Sequence, residues 1–313
     1  MKSRNYAGIS LLASLAACNS ATAETVQKNS TQAPQKPNVI VILADDLGYG
    51  DLKCYGAKNV ETPHLDKLAS EGIRFTNAHT VAATSTPSRY SLLTGEYAWR
   101  RPDTDIAAGD VKMIIRPEQY TMADMFKSAG YATAAIGKWH LGLGDKTGGQ
   151  DWNAPLPAAL GDLGFDYHYI MAATADRVPC VFIENGKVAN YDPSDPIEVS
   201  YTKNFPGEPT GKDNPELLYN LHPSNGHDMS IVNGISRIGF MKGGGKALWK
   251  DENIADSITP FMPSTLSNSI KTSLSLCILQ PMMYTFLVFP MTASVERILW
   301  DYAETQSPNS TGR

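Results

Sequence analysis

Cysteine is scarce: four residues in a chain of 313 are too few for the dense bridging that holds small secreted folds together. A surplus of basic residues is missing as well. Lysine and arginine number 27 against 32 acidic residues, a formal charge of -5, so no broad basic face draws the chain to nucleic acid. No internal repeat is present, which excludes a solenoid or a propeller. Charged residues are 19% and apolar residues 42%, a balance unlike that of a disordered chain. At this length a soluble protein forms one large domain or two ordinary ones, with room for a sizeable core. The 25 Gly and 20 Pro point to a loop-rich α/β protein rather than a helical bundle.

The first residues read as an export signal. Lys2 and Arg4 precede the apolar run 9–17, which is too short to span a bilayer. It ends in Leu15-Ala16-Ala17-Cys18, which resembles the bacterial lipoprotein cleavage box. That resemblance makes residues 1–18 the signal and Cys18 the acylated first residue of the mature protein. Cleavage after Ala21-Thr22-Ala23 is the alternative. Residues 19–36 are rich in Gln, Thr, Asn and Pro and read as a tether. The expectation is an exported periplasmic or outer-membrane (cell-surface) lipoprotein, held to the membrane by lipid alone.

Strands and helices alternate after the tether. Asn38 to Ala44 is a β-branched apolar run without polar alternation, the pattern of a parallel strand covered on both faces. Thr62-Pro63 starts a helix that Gly72 stops. Ile73 to Ala78 reads as a strand, Thr121 to Gly130 as a capped helix, and Tyr131 to Ile136 as a further strand. This order predicts a doubly wound sheet with ligands at the carboxyl ends of its strands. Residues 142–225 are rich in Gly, Pro, Asp and Asn and read as long loops over the active face.

Two places carry chemistry. Asp45-Asp46 follows the first apolar strand, and adjacent carboxylates in a dry site repel unless a cation is present. Hard oxygen donors suit calcium or magnesium. Ser85 precedes Pro87, and Gly95 closes the short helix between them. Residue 85 therefore sits at a helix N-terminus, where free N–H groups and the dipole favour an anion.

Ser85-Thr86-Pro87-Ser88-Arg89, with Leu93-Thr94-Gly95 following, resembles the sulfatase signature in its serine form. Pro37-Asn38-Val39-Ile40 through Asp45-Asp46-Leu47-Gly48-Tyr49-Gly50, then Thr62-Pro63-His64-Leu65-Asp66 and Gly137-Lys138-Trp139-His140-Leu141-Gly142, resemble successive blocks of the same family, and the stretch to Ile258 is similar to a subgroup of bacterial arylsulfatase-type enzymes. Several ordered blocks are a far more specific match than one short motif. The resemblance implies an alkaline-phosphatase-like α/β fold, a doubly wound sheet with helices on both faces, incomplete at the C-terminus. It implies hydrolysis of sulfated carbohydrates or aryl sulfates. Ser85 would be oxidised to formylglycine by an anaerobic-type maturating enzyme, and its hydrated aldehyde would attack sulfur. Asp45, Asp46 and the modified Ser85 would hold Ca²⁺, with Mg²⁺ second to it. Arg89 would hold the formylglycine and Lys138 would contact both it and the sulfate. His140 would take the hydrate proton as sulfate leaves.

Other residues carry weaker signals. His227 in Asn225-Gly226-His227-Asp228 is a candidate for a substrate loop. His64 starts a helix and reads as structural, and His79, near the signature, has no assigned role. Gly243-Gly244-Gly245-Lys246 is no phosphate loop, since Ala247 stands where Ser or Thr is needed. Trp139 and Trp249 read as packing residues.

Residues 259–313 have another composition. They hold one Gly, Gly312, while the preceding 258 hold 24. Leu274 to Met291 is apolar, yet Gln280, Pro281 and Pro290 interrupt it, so it makes a poor spanning helix. A frameshift near Thr259 explains the stretch better. Joining the third base of each codon to the first two of the next turns Met282-Met283-Tyr284 into Asp and Val without choice. Permitted codons continue as Asn-Asp-Val-His-Val-Pro-Arg. The family resemblance implies a leaving-group His in such a block, then an Asp-Asn pair for the metal and another Lys for sulfate; none is in this sequence as it stands. The expectation is therefore residues 37–258 as the first part of a sulfatase domain with impaired activity. A phosphomonoesterase or phosphodiesterase using unmodified Ser85, and an inactive lipoprotein fragment, are the competing readings.

Overall fold

A computed structural model describes residues 36–258 and the backbone of 275–280. The expected lipoprotein signal, most of the expected tether and most of residues 259–313 lie outside the described residues. A central six-stranded sheet organises the chain. Its strands are β1 (Val39–Ile42), β2 (Ala132–Lys138), β3 (Tyr167–Met171), β4 (Phe182–Glu184), β5 (Lys187–Val188) and, from the tail, β10 (Ser275–Gln280). The order is β1-β10-β2-β3-β4-β5. The first four strands run parallel and the last two turn antiparallel. Two small antiparallel pairs complete the strands: β6 (Glu198–Ser200) with β9 (Phe240–Lys242), and β7 (Ile231–Val232) with β8 (Ile235–Ser236).

The helices begin and end where their capping residues stand. Helix α1 spans Pro63–Glu71, with Pro at its first position and Gly72 after its last. The Thr62 hydroxyl caps nothing; it accepts the Lys53 N–H instead, at 2.9 Å. Helix α2 spans Ser85–Thr94 and stops at Gly95, which adopts φ 70° as a left-handed cap requires. Helix α3 spans Met122–Ser128, and Thr121 and Asp124 cap it reciprocally. Helix α4 is the short Ile254–Ile258. Tyr90, Leu93, Ile115, Ile136, Trp139, Leu141, Leu160, Leu163 and Ile170 are fully buried and form the core between α2, β2 and β3. Trp139 and Trp249 are packing residues as expected, both buried in that cluster.

Three expectations need correction. No strand forms at 73–78: Ile73 is 85% and Phe75 67% exposed. A loop rather than a ladder holds the segment: the Tyr55 hydroxyl donates to the Phe75 carbonyl at 2.9 Å, and the Arg74 side chain donates to the Cys54 carbonyl. β1 is parallel but only half-buried, because it is the edge of the sheet. Within the apolar stretch 274–291, residues 275–280 form neither a helix nor an exposed edge; they fill the place between β1 and β2. No helix among the described residues is long and apolar enough to cross a membrane.

The segment read as loop also holds structure. Asn185-Gly186 joins β4 to β5 with both residues at positive φ (46° and 80°), the geometry of a tight hairpin turn. Asn233-Gly234 joins β7 to β8 in the same way, at 54° and 68°. The three glycines at 243–245 fold into a turn against the 195–197 segment, where a Cβ on Gly243 would meet the Pro196 carbonyl at 2.0 Å.

Beside this second hairpin Arg237 and Asp251, each 1% exposed, form a bidentate pair at 2.6 and 2.9 Å. Arg237 also donates to the Ala175 and Val232 carbonyls at 2.7 and 2.9 Å. Removing one partner strands a buried charge. Asp251→Ala is expected to lower stability by about 3–5 kcal/mol in guanidinium unfolding; a loss below about 1 kcal/mol, the range of a surface pair, contradicts this role.

Candidate active site

The parallel strands deliver the candidate residues from their carboxyl ends, where open α/β sheets bind ligands. Asp45 and Asp46 lie just past β1, Lys138 is the last residue of β2 and His140 follows it. Past β3 the chain carries Thr174, Asp176 and Arg177. Together with Ser85 and Arg89 of α2 they line one cleft of about 410 Å³. His227 lines it too, so the cleft gathers every site residue expected from the sequence.

The residues interlock. The Lys138 ammonium donates to Asp45 Oδ2 at 2.5 Å, and the Arg89 guanidinium stands 3.6 Å from Asp45 Oδ1. Arg89 Nε donates to Ser85 Oγ at 2.8 Å, and its Nη1 donates to the Lys138 carbonyl at 2.9 Å. One carboxylate thus faces two cations, and one of these holds the hydroxyl at the start of α2. Burial pushes Arg89 down to about 10, against the attraction of Asp45 and Asp46. Burial also lowers Lys138, helped by repulsion from Arg89 and opposed by Asp45. The two cations are therefore poised to gain from an anion entering the cleft.

His140 sits in the left-handed region, at φ 58°, and is 2% exposed. Its Nε2 lies 2.9 Å from the Ala107 carbonyl. Burial, followed by the Lys138 charge, lowers its pKa from 6.5 to about 3. The following turn needs Gly142, where a Cβ would meet the Lys112 carbonyl at 2.1 Å.

Of the far wall, only His227 was legible as a candidate in the sequence. His227 Nε2 lies 2.9 Å from Asp176 Oδ2, and Arg177 bonds Thr174 Oγ1 at 2.8 Å. Arg177 lowers the Asp176 carboxyl by charge and Thr174 and His227 by hydrogen bonds, which together outweigh burial. His222, Ser236 and Arg237 also line this side. Asp176 and His227 are 51 residues apart, and no local motif announces the pairing.

The metal expectation meets a partial donor set. Asp45, Asp46 and the oxygen on residue 85 share the cleft and are hard donors of the kind calcium takes. Among the described residues no group of three or more His, Cys, Asp or Glu is arranged to hold a metal ion.

The profile of the sulfatase family matches residues 37–220, more than half the chain. The chain belongs to the sulfatase family. The N-acetylgalactosamine-6-O-sulfatase of Bacteroides thetaiotaomicron is 56% identical over 248 residues, covering 79% of this chain and 47% of that protein. The steryl-sulfatase of Mus musculus is 49% identical over 120 residues, 36% of this chain and 19% of its own length. This sulfatase chain thus spans about half the length of the first relative and less of the second. A Bacteroides thetaiotaomicron structure, solved in work on the metabolism of multiple glycosaminoglycans, superposes with a TM-score of 0.82 at 47% identity, over 87% of this chain and 59% of that one. Ps i-CgsB, solved with k-i-k-neocarrahexaose, shares the fold at a TM-score of 0.55 and 22% identity, over 86% of this chain and 55% of that one. The alkaline-phosphatase-like α/β architecture implied by the motifs is the one observed.

The His140 shift has a pH consequence. An unfolded ring titrates near 6.5 and the folded one near 3. Between these values the unfolded chain binds a proton that the folded chain refuses, so stability falls as pH drops through the window. NMR titration is expected to find the His140 ring uncharged at about pH 5; an imidazolium there contradicts the burial argument.

Proposed function

We propose that this sulfatase hydrolyses sulfate monoesters on amino sugars, with 6-O-sulfated N-acetylgalactosamine units as its substrate class. The observation that carries the reading is the linked cluster Ser85–Arg89–Asp45–Lys138, which joins the sulfatase signature to two further blocks of the family and lines the cleft. The name of the Bacteroides relative supports the choice of sugar.

Bound sulfate has negative oxygens that need positive partners strongest at the transition state. Lys138 and Arg89 supply fixed positive charge from buried positions, and the α2 N-terminus adds partial charge. Arg89 orients the oxygen of residue 85 toward the ester. His140, held neutral, takes the proton that must leave that residue when sulfate is expelled. Asp176, Arg177 and His227 offer donors and acceptors matched to sugar hydroxyls. Calcium at Asp45, Asp46 and residue 85 adds Lewis acidity at the sulfate oxygens when bound.

Ser85 is the site of formylglycine formation by an anaerobic-type maturating enzyme. Residues 1–18 are its lipoprotein signal, Cys18 carries the lipid and 19–36 form the tether, which puts the enzyme in the periplasm or at the cell surface. Residues 259–313 are an out-of-frame segment that weakens the activity; the change in composition and the forced Asp and Val codons support this. Sequencing codons 250–313 tests it, and codons incompatible with the shifted reading overturn it.

Mass spectrometry of the Ser85 peptide, from chain exported by an anaerobic host, is expected to show formylglycine. An unmodified serine with phosphate-ester turnover favours a phosphoesterase instead. Ser85→Ala is expected to lower sulfate release from the 6-O-sulfated sugar by on the order of 10³-fold or more. His227→Ala is expected to raise KM about tenfold with a smaller change in kcat, the worth of one lost charge-assisted hydrogen bond. A pure kcat loss places His227 in the chemistry rather than in sugar binding.

A further inference from the structure

Thr86, the residue after Ser85, is fully buried and closes a ring of hydrogen bonds around His140. Its hydroxyl donates to the His140 carbonyl at 3.0 Å and accepts the Ala107 N–H at 3.1 Å. The Ala107 carbonyl in turn faces His140 Nε2 at 2.9 Å. Each partner fixes the next. A carbonyl only accepts, so the single hydroxyl proton of Thr86 is committed to His140, and the hydroxyl lone pair is left for Ala107. By the same logic Nε2 must carry the ring proton. Nδ1 then holds the lone pair, and among the described residues it meets no hydrogen-bond partner.

We propose that Thr86 is a positioning residue that fixes His140 as its Nε2–H tautomer, leaving Nδ1 as the nitrogen able to accept a proton. Two features make the brace necessary. His140 holds a left-handed backbone at φ 58°, which a non-glycine residue keeps only when its surroundings over-determine it. Thr86 grips its carbonyl, while its N–H bonds the Ala172 carbonyl at 3.1 Å. The Ala107 loop has no regular structure of its own, and the Thr86 hydroxyl sets the loop carbonyl that reads the ring. The adjacency of residues 85 and 86 then has a physical meaning: the residue beside the nucleophile holds the base. The consequence for turnover rests on the roles given above to Ser85 and His140, while the tautomer itself does not.

Nitrogen-15 NMR of the full chain, labelled at histidine and read at neutral pH, tests this without substrate, metal or maturation. His140→Gln identifies the resonance. The wild type and Thr86→Ser are expected to show one ring species with the proton on Nε2. Thr86→Val, which keeps the shape and loses the hydroxyl, is expected to lose that pure signature and show mixed or exchange-broadened tautomers. Thr86→Ala, which leaves space rather than a buried methyl against polar groups, carries the same expectation where the valine variant does not fold. A wild-type ring protonated on Nδ1 overturns the proposal, as does a hydroxyl-less variant that keeps the pure Nε2–H form. Absence of formylglycine at Ser85 would sink the functional reading and leave this result standing.

Discussion

The Asp45 carboxylate, held between Lys138 and Arg89, is the contact on which the rest of the site depends. Two cations buried side by side repel each other and lose their hydration, and burial lowers the affinity of both for protons. A single carboxylate facing both offsets much of this. It also joins three elements that are far apart in sequence: Lys138 ends β2, Arg89 stands on the first turns of α2, and Asp45 follows β1. Without that anion the two buried cations lose the carboxylate that both face.

The same contact divides the cleft into two ends. Its inner end sets Lys138 and Arg89 against Asp45, with Asp46 beside them, while its far wall pairs an acid, Asp176, with Arg177 and His227. On the proposed function this division suits an ester of a strong acid on a neutral sugar: the sulfate would face Lys138 and Arg89, and the sugar would face groups that already exchange hydrogen bonds with one another.

Much of this was readable from the chain. Pro63, Gly72, Gly95 and the Thr121–Asp124 pair set helix ends through local physics, so their positions followed from neighbours a few residues away. The runs before Asp45 and Lys138 read as strands because parallel strands need little polar alternation. Ile73 to Ala78 misled because its alternation fits a strand, while the loop around Tyr55 had already claimed its backbone. The Asn185-Gly186 and Asn233-Gly234 hairpins were hidden in polar surroundings, although that dipeptide is their usual signal. The cleft's far wall was out of reach for a different reason. Asp176, Arg177 and His222 become a surface only through closure of the chain over long separations, and nothing in their immediate neighbours marks them. Thr86 carries no signal of its own in the sequence; its role comes from partners 54 and 21 residues away, His140 and Ala107.

The strand Ser275–Gln280 bears on all of this by acting as a spacer. β1 and β2 do not pair with each other; each pairs with the segment between them, Ile42 beside Leu279 and Leu279 beside Ile136. Two ladder steps of about 4.8 Å therefore set how far the acids past β1 stand from the amine and imidazole past β2. The alignment of motifs from the first half of the chain is thereby delegated to the backbone register of a segment more than a hundred residues further along.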